Sequence, residues 1–137
     1  MNALQSLRDY ERFVYSLPAQ CAAIRQSTLT IQRRGRQLAE LRGELLFHNG
    51  CRLRIYERLA WDTGAVVIAG YSYEAWRAAE KLYWYDSQPH PGDPGLAATH
   101  PHHKHLPPDP RHHRVPAPSL SFTTPNLLFL IGEISVL

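Results

Sequence analysis

The first twenty residues carry apolar side chains at helical spacing. The members of this stripe are Leu4, Leu7, Val14 and Leu17, with Tyr10 and Phe13 beside them. Charged residues lie mostly on the other side, so the pattern predicts an N-terminal amphipathic helix. We expect it to end at Pro18, which has no N–H to donate. Residues 19–26 fit either a loop or one short helical turn.

From Thr28 the apolar period changes to two, which is typical of strands with one buried face. The candidate strands are residues 28–34, 38–47, 52–59, 66–76 and 82–86. Turn residues separate them at Gly35, at Asn49-Gly50 and at Gly64. Such turns join neighbouring strands as hairpins, so the pattern predicts a five-stranded antiparallel meander.

After Asp86 the alternation stops, and residues 87–119 contain too much proline for a helix or a central strand. We expect a long His/Pro-rich loop here. A C-terminal helix should follow, with Thr123 or Thr124 as its cap and Pro125 in its first turn. Its apolar stripe would be Leu127, Leu130, Ile131 and Ile134. The predicted fold class is therefore α+β, with a helix, a meander sheet, the loop and a closing helix.

The length of 137 residues fits one domain covering residues 1–137. No apolar stretch approaches the roughly 20 residues that span a bilayer, and the N-terminus lacks the layout of a signal peptide. We therefore expect a soluble, cytoplasmic protein that does not enter a membrane. Two cysteines, Cys21 and Cys51, are too few for a disulfide framework.

The most unusual segment lies between His90 and Pro118. Seven of the eight histidines and nine of the eleven prolines fall within or next to it, between residues 89 and 118. Three interpretations are open. It could be a solvated linker, a site for a transition metal such as Zn²⁺, or a metal-free acid–base site. The metal ligands would be His100, His102, His103 and His105, with Asp86 among the candidate carboxylates.

The acid–base interpretation rests on residue types that RNA cleavage by its own 2′-hydroxyl requires. Imidazoles transfer protons near neutral pH, and Lys104 between them would stabilise charge developing on a phosphate. Glu57 is a second candidate base, because it lies on the apolar face of a predicted strand and burial raises the pKa of a carboxyl. An ion pair with an inward-facing arginine is the structural alternative for Glu57.

Two further groups could bind RNA. The first is an arginine stripe on the polar face of the third predicted strand: Arg52, Arg54 and Arg58. The second is a set of aromatic residues between positions 71 and 85, of which Tyr71, Tyr73 and Tyr85 are the candidates for base stacking. Core packing is the alternative for the tyrosines, and a solvated face is the alternative for the arginines.

Three short runs resemble the TumE family of toxins from toxin–antitoxin pairs. They are Lys81-Leu-Tyr-Trp-Tyr-Asp86, Gln88-Pro-His90 and His102-His-Lys-His105. The resemblance spans about residues 45–106, and the most specific part is Lys104 with its flanking histidines. Where relatives commonly carry Arg and Asn, this chain has Trp84 and Ser87. Its Pro-rich extension, residues 107–120, is also longer than a minimal toxin of this family needs.

The resemblance implies a toxin that acts on RNA and is neutralised by a helix-turn-helix antitoxin. The family positions that match are Glu57, Tyr71, Tyr73, Tyr85, Asp86, His90, His103, Lys104 and His105. Our leading hypothesis is a metal-independent endoribonuclease without a cofactor. A metal-binding or pH-sensing protein and a non-catalytic interaction module are the alternatives, and homodimerisation is left open.

In that hypothesis the base is Glu57 or one of His90 and His103, and the acid is His105 or its neighbour. Lys104 stabilises charge, and Asp86 orients a histidine. The hypothesis makes a geometric prediction. His103 or His105 should lie within hydrogen-bond or one-water reach of Glu57 or Asp86.

Overall fold

A computed structural model describes residues 2–87, 102–106 and 114–137 of the chain. His90 and His100, and most of the predicted loop, lie outside the described residues. None of the described helices is long and apolar enough to cross a membrane.

The N-terminal helix α1 spans Leu7–Gln20 and follows a short 3₁₀ turn at Ala3–Gln5. Ser6 caps it, since its hydroxyl accepts a hydrogen bond from the Asp9 N–H at 3.1 Å. The prediction that Pro18 ends the helix was wrong. Proline lacks only its own N–H, and the last turn is closed by the Cys21 N–H, which donates to the Leu17 carbonyl at 2.9 Å.

Eight antiparallel strands form one sheet in the described part of the chain. They are β1 (Ile24–Ser27), β2 (Thr30–Arg33), β3 (Leu38–Phe47), β4 (Cys51–Trp61), β5 (Val66–Arg77), β6 (Glu80–Asp86), β7 (His103–His105) and β8 (Arg114–Pro116). Strands β3 to β8 follow one another as a meander, while β1 and β2 pair with different parts of β3. The α+β class is confirmed, and the predicted count of five strands was too low.

The additional strands β7 and β8 lie inside the region predicted to be a loop. Residues His103 to His105 pair with β6, and β8 pairs with β7. Proline is compatible with this arrangement because β8 is the last strand in the described sheet, where a missing N–H costs no ladder bond. The proline content of a segment therefore does not distinguish a short outer strand from a loop.

The two faces of the sheet differ in what covers them. The inner face packs against α1 and α2 (Leu127–Ser135), whose stripe Leu127, Leu130, Ile131 and Ile134 is buried as predicted. The predicted threonine cap was wrong, because Asn126 precedes the helix and makes no side-chain cap. Its amide instead donates to the Tyr73 hydroxyl at 3.0 Å. The opposite, outer face carries the polar half of each strand.

Candidate active site on the outer face of the sheet

Asp86, His103 and His105 converge on the outer face, and we call them the Asp86 cluster. The β6–β7 register pairs Asp86 with His103 and Trp84 with His105, which places all these side chains on one face. The Nε2 atom of His105 lies 3.2 Å from Oδ2 of Asp86, and Nε2 of His103 contacts Oδ1. The predicted proximity of His103 or His105 to Asp86 is confirmed.

Trp84 completes the surroundings of the carboxylate. Its indole N–H donates to Oδ2 of Asp86 at 3.0 Å, and its ring stacks on His105 with centroids 4.1 Å apart. A tryptophan at this position therefore both orients the carboxylate and covers one imidazole. Asp86 borders the open space on this face, whereas the rings of His103 and His105 are each only 2% exposed.

The electrostatics of the cluster favour an ionised carboxylate. Burial by itself raises the pKa of Asp86, but hydrogen bonds from His103, His105 and Trp84 outweigh it and hold this pKa well below its usual range. Nε2 of each histidine lies against this ionised carboxylate, which only accepts hydrogen bonds and therefore favours a hydrogen on Nε2. In the neutral ring, Nδ1 is then the nitrogen with the lone pair. The arrangement therefore favours this tautomer in both imidazoles.

An open groove leads from the cluster across the outer face, and we call it the outer groove. One row of paired residues crosses five strands along it: Arg42, Tyr56, Ser72, Asp86 and His103. With strands about 4.8 Å apart, this row is roughly 19 Å long. Further described residues line the groove: Glu44, Arg52, Arg54, Arg58, Gly70, Glu74, Lys81 and Trp84.

The outer groove is cationic and aromatic. Its described lining carries five cations and three carboxylates. Arg42 and Arg52 already pair with glutamates at 2.7 Å, whereas Arg54 and Arg58 have no ion-pair partner among the residues that the structure describes. The Arg42 guanidinium also lies 4.6 Å from the centroid of Tyr56. Arg54 and Arg58 are thus the groove cations best placed to meet a phosphate.

Gly70 makes room for one of these cations. A Cβ atom at Gly70 would lie 2.5 Å from Nη2 of Arg58, which crosses this position on the next strand. Because glycine has no Cβ, the Arg58 guanidinium packs directly over this position and borders the same open space as Asp86. The glycine therefore helps hold a positive charge near the cluster.

Glu57 lies on the inner face and is fully buried. It accepts hydrogen bonds from the hydroxyls of Tyr10 and Tyr73, both at 2.5 Å. Burial raises the pKa of Glu57 to about 7, against the lowering effect of the two tyrosines. The sheet thus separates Glu57 from the Asp86 cluster, and the predicted approach of His103 or His105 to Glu57 is not found.

Lys104 also points away from the cluster, because alternation along β7 sends it to the inner face between two outward histidines. Its Nζ lies 3.3 Å from Oε2 of Glu133 on α2 and 4.1 Å from the centroid of the Tyr83 ring. The Tyr85 hydroxyl donates to the same Glu133 at 2.9 Å. Glu133 was missed in the sequence, although it is the only charged residue of α2.

The three tyrosines predicted to stack on bases all face inward. Tyr73 binds Glu57, and Tyr85 binds Glu133. Tyr71 stacks on Tyr73 at 4.8 Å, and its hydroxyl lies 2.6 Å from Nδ1 of His102. These contacts match the core-packing alternative. Tyr56 and Trp84 are outward-facing aromatic residues that line the outer groove, and strand alternation from Arg54 and Asp86 would have indicated both.

The four predicted metal ligands are not brought together as a set. His102 turns towards Tyr71, and His100 lies outside the described residues. His103 and His105 instead meet Asp86, and one potential ligand atom from each of these three residues lies within 4.8 Å of the others. Two imidazoles and a carboxylate are ligands that divalent transition metals accept.

Comparison with known proteins gives one family. The family model described as Toxin TumE matches residues 14–135, which include every described strand and α2. No curated protein and no solved structure matches the chain.

Proposed function

Because the chain belongs to the TumE toxin family and is the toxin component of a toxin–antitoxin system, we propose that it inhibits growth by cleaving RNA. The observation that carries the proposal is the Asp86 cluster at one end of a cationic groove. The cluster offers two imidazoles whose Nε2 atoms face one carboxylate, and the groove offers Arg54 and Arg58, which have no ion-pair partner among the described residues.

In the proposed reaction, the 2′-oxygen of the RNA attacks the neighbouring phosphorus. A P–O2′ bond forms and the P–O5′ bond breaks. Nδ1 of one imidazole takes the proton of the 2′-hydroxyl, and the second imidazole, in its protonated form, gives a proton to the leaving O5′. The products are a 2′,3′-cyclic phosphate and a 5′-hydroxyl end, and no metal ion is needed.

The other groups have supporting roles in this reaction. Asp86 keeps both rings oriented through the Nε2 contacts, as a carboxylate does behind a catalytic imidazole. Arg58, which borders the same open space as Asp86, stabilises the negative charge that develops on the non-bridging phosphate oxygens, the role that the sequence had suggested for Lys104. Because both histidines are only 2% exposed, the reaction requires side-chain rotations, including that of Trp84 off His105, before RNA reaches them. Side-chain rotations of this kind are common on binding.

Glu57 has a structural role in this proposal. It joins α1 through Tyr10 to β5 through Tyr73, and Asn126 continues the network to the start of α2. A buried carboxylate with two donors in a closed network is satisfied where it lies. It therefore holds the inner layer of the fold together, rather than contacting RNA.

The partner and location follow from the same proposal. An antitoxin partner is implied by the family, and we further propose that it carries a helix-turn-helix domain and that the pair acts in the cytoplasm on cellular RNA. Homodimerisation remains a prediction. Expression of the gene next to this one, followed by co-purification with this chain, tests the partner, and a neighbour without a helix-turn-helix domain would contradict this part.

Growth inhibition after induced expression tests the function. His103→Asn and His105→Asn should each reduce inhibition and RNA cleavage by about 10²-fold or more, because each removes a proton-transfer group. His102→Asn is the matched control, since this neighbour faces Tyr71 instead of the cluster. Antitoxin binding by each variant confirms folding. Full toxicity of both cluster variants would overturn the proposal.

A further inference from the structure

The Asp86 cluster has the composition of a metal site as well as that of an acid–base site. We propose that it binds one divalent transition-metal ion of the Zn²⁺ class, and that the bound ion inhibits the protein instead of serving as its cofactor. The binding part stands on the geometry alone. The inhibition part rests on the proposed function.

The ligand geometry supports binding at a single point. In a tetrahedral Zn²⁺ site, ligand atoms about 2.0–2.2 Å from the metal lie roughly 3.3–3.6 Å from one another. The 3.2 Å between Nε2 of His105 and Oδ2 of Asp86 is close to this value, and all three ligand atoms lie within 4.8 Å of one another. Small side-chain rotations are sufficient to place one ion among them.

The backbone holds the two imidazoles in place. His103 and His105 are separated by one residue on β7, so they face the same side, and β6 sets Asp86 opposite His103. This pairing gives the cluster a rigid base. Metal ligands from a free loop would have to be ordered when the ion binds, whereas these three are already in position.

Trp84 supplies a second layer around the site. Its N–H donates to Oδ2 of Asp86 at 3.0 Å, which fixes the orientation of the carboxylate. Groups of this kind tune metal affinity by about 10- to 100-fold in known sites. Three protein ligands also leave a fourth coordination position, and Asp86 borders the outer groove, from which water or a phosphate oxygen can fill it.

The inhibition follows from competition for the same atoms. The ion takes the Nε2 lone pair of each histidine, so a neutral ring shifts its proton from Nε2 to Nδ1, and a protonated ring releases its Nε2 proton to solvent and keeps the one on Nδ1. Nδ1 then carries a hydrogen and cannot accept the 2′-hydroxyl proton, and neither ring can cycle between its protonated and neutral forms. Bound metal and proton transfer therefore exclude each other at this cluster.

Zn²⁺ titration of the tag-free full-length chain, read by calorimetry, tests the binding. The chain has other histidines, so His90, His100, His112 and His113 are changed to Asn in the background used. We expect one ion per chain, and Asp86→Asn, His103→Asn or His105→Asn should each weaken binding by more than about tenfold. His102→Asn, the matched control, should bind like the background.

Co²⁺ in place of Zn²⁺ gives a second measurement. Its visible absorption reports the coordinating ligands, so the spectrum should change in the His103 and His105 variants and stay unchanged in His102→Asn. Binding that is equally tight in all variants, or no stoichiometric binding, would overturn the site.

The inhibition is measured separately, as RNA cleavage with and without one equivalent of Zn²⁺. We expect loss of cleavage that a chelator restores. Undiminished cleavage by the metal-loaded protein would overturn the inhibition while leaving the site intact. Absence of cleavage by the metal-free protein as well would instead refute the proposed function, and the titration would still decide the site.

Discussion

Glu57 gives a quantitative prediction about pH and stability. Burial raises the pKa of this carboxyl from 4.5 to about 7 in the folded chain, so the folded state holds a proton that the unfolded state releases between these pH values. Stability must therefore fall as pH rises through this window. A pKa difference of this size corresponds to about 3 kcal/mol. Glu57→Gln removes the titrating group but keeps its size and an oxygen that can accept from a tyrosine.

The assay is urea unfolding followed by tryptophan fluorescence at pH values from 4.5 to 8.5. The free energy of unfolding of Glu57→Gln minus that of the wild type should rise by about 3 kcal/mol over this range. Taking the difference cancels the titration of the histidines that both proteins share. Glu44→Gln, on the outer face beside Arg52, should show no comparable rise.

Two results would refute this reasoning. Parallel profiles for wild type and Glu57→Gln would mean that the carboxyl has an ordinary pKa, and a difference that falls with pH would mean that the ionised form is favoured. Glu57→Gln also distinguishes a structural role of Glu57 from a role as the base in RNA cleavage. It should keep RNA cleavage within about tenfold of wild type, whereas a base in the reaction would lose 10²-fold or more.

Three further predictions concern single groups on the two faces. Lys104→Ala should lower stability by no more than about 1 kcal/mol in unfolding measurements, through loss of the Glu133 pair, and should leave cleavage within about tenfold of wild type. Arg54→Ala and Arg58→Ala should each weaken binding of single-stranded RNA and lower the magnitude of the slope of log K against log salt concentration by roughly 0.7. This slope is measured by fluorescence anisotropy titrations, and an unchanged slope would contradict the phosphate contacts of these arginines. Tyr73→Phe removes a donor to Glu57, so it should cost about 1.5–3 kcal/mol at pH 8 and less at pH 5, and equal losses at both pH values would argue against a charged acceptor.

The alternation along each strand is the part of the fold that the sequence predicts best. It identifies β3 to β6, the polar face with Arg52, Arg54 and Arg58, and the buried position of Glu57. The alternation of apolar and polar residues along a strand depends only on neighbouring residues, so it can be recognised in the sequence. The same property assigns His103 and His105 to one face and Lys104 to the other, once β7 is recognised as a strand.

What could not be predicted are the long-range pairings. The approach of Asp86 to His103 depends on β7 returning to β6 across an intervening segment, and no local pattern specifies that register. Strands β7 and β8 were not predicted, because the proline content of residues 87–119 does not distinguish an edge strand from a loop. The predicted meeting of Glu57 with the histidines failed for a related reason, since local alternation gives the face of each strand only relative to its own neighbours.

Cleavage of a single-stranded RNA by the purified, tag-free protein in the presence of a chelator tests the central claim most directly. Wild type should produce fragments with 2′,3′-cyclic phosphate and 5′-hydroxyl ends, and a substrate with 2′-deoxy sugars should remain intact. His103→Asn should be slower by about 10²-fold or more, and His102→Asn should cleave like wild type. Cleavage of the 2′-deoxy substrate, or equal rates for His103→Asn and wild type, would contradict the assignment of the Asp86 cluster as the reaction centre.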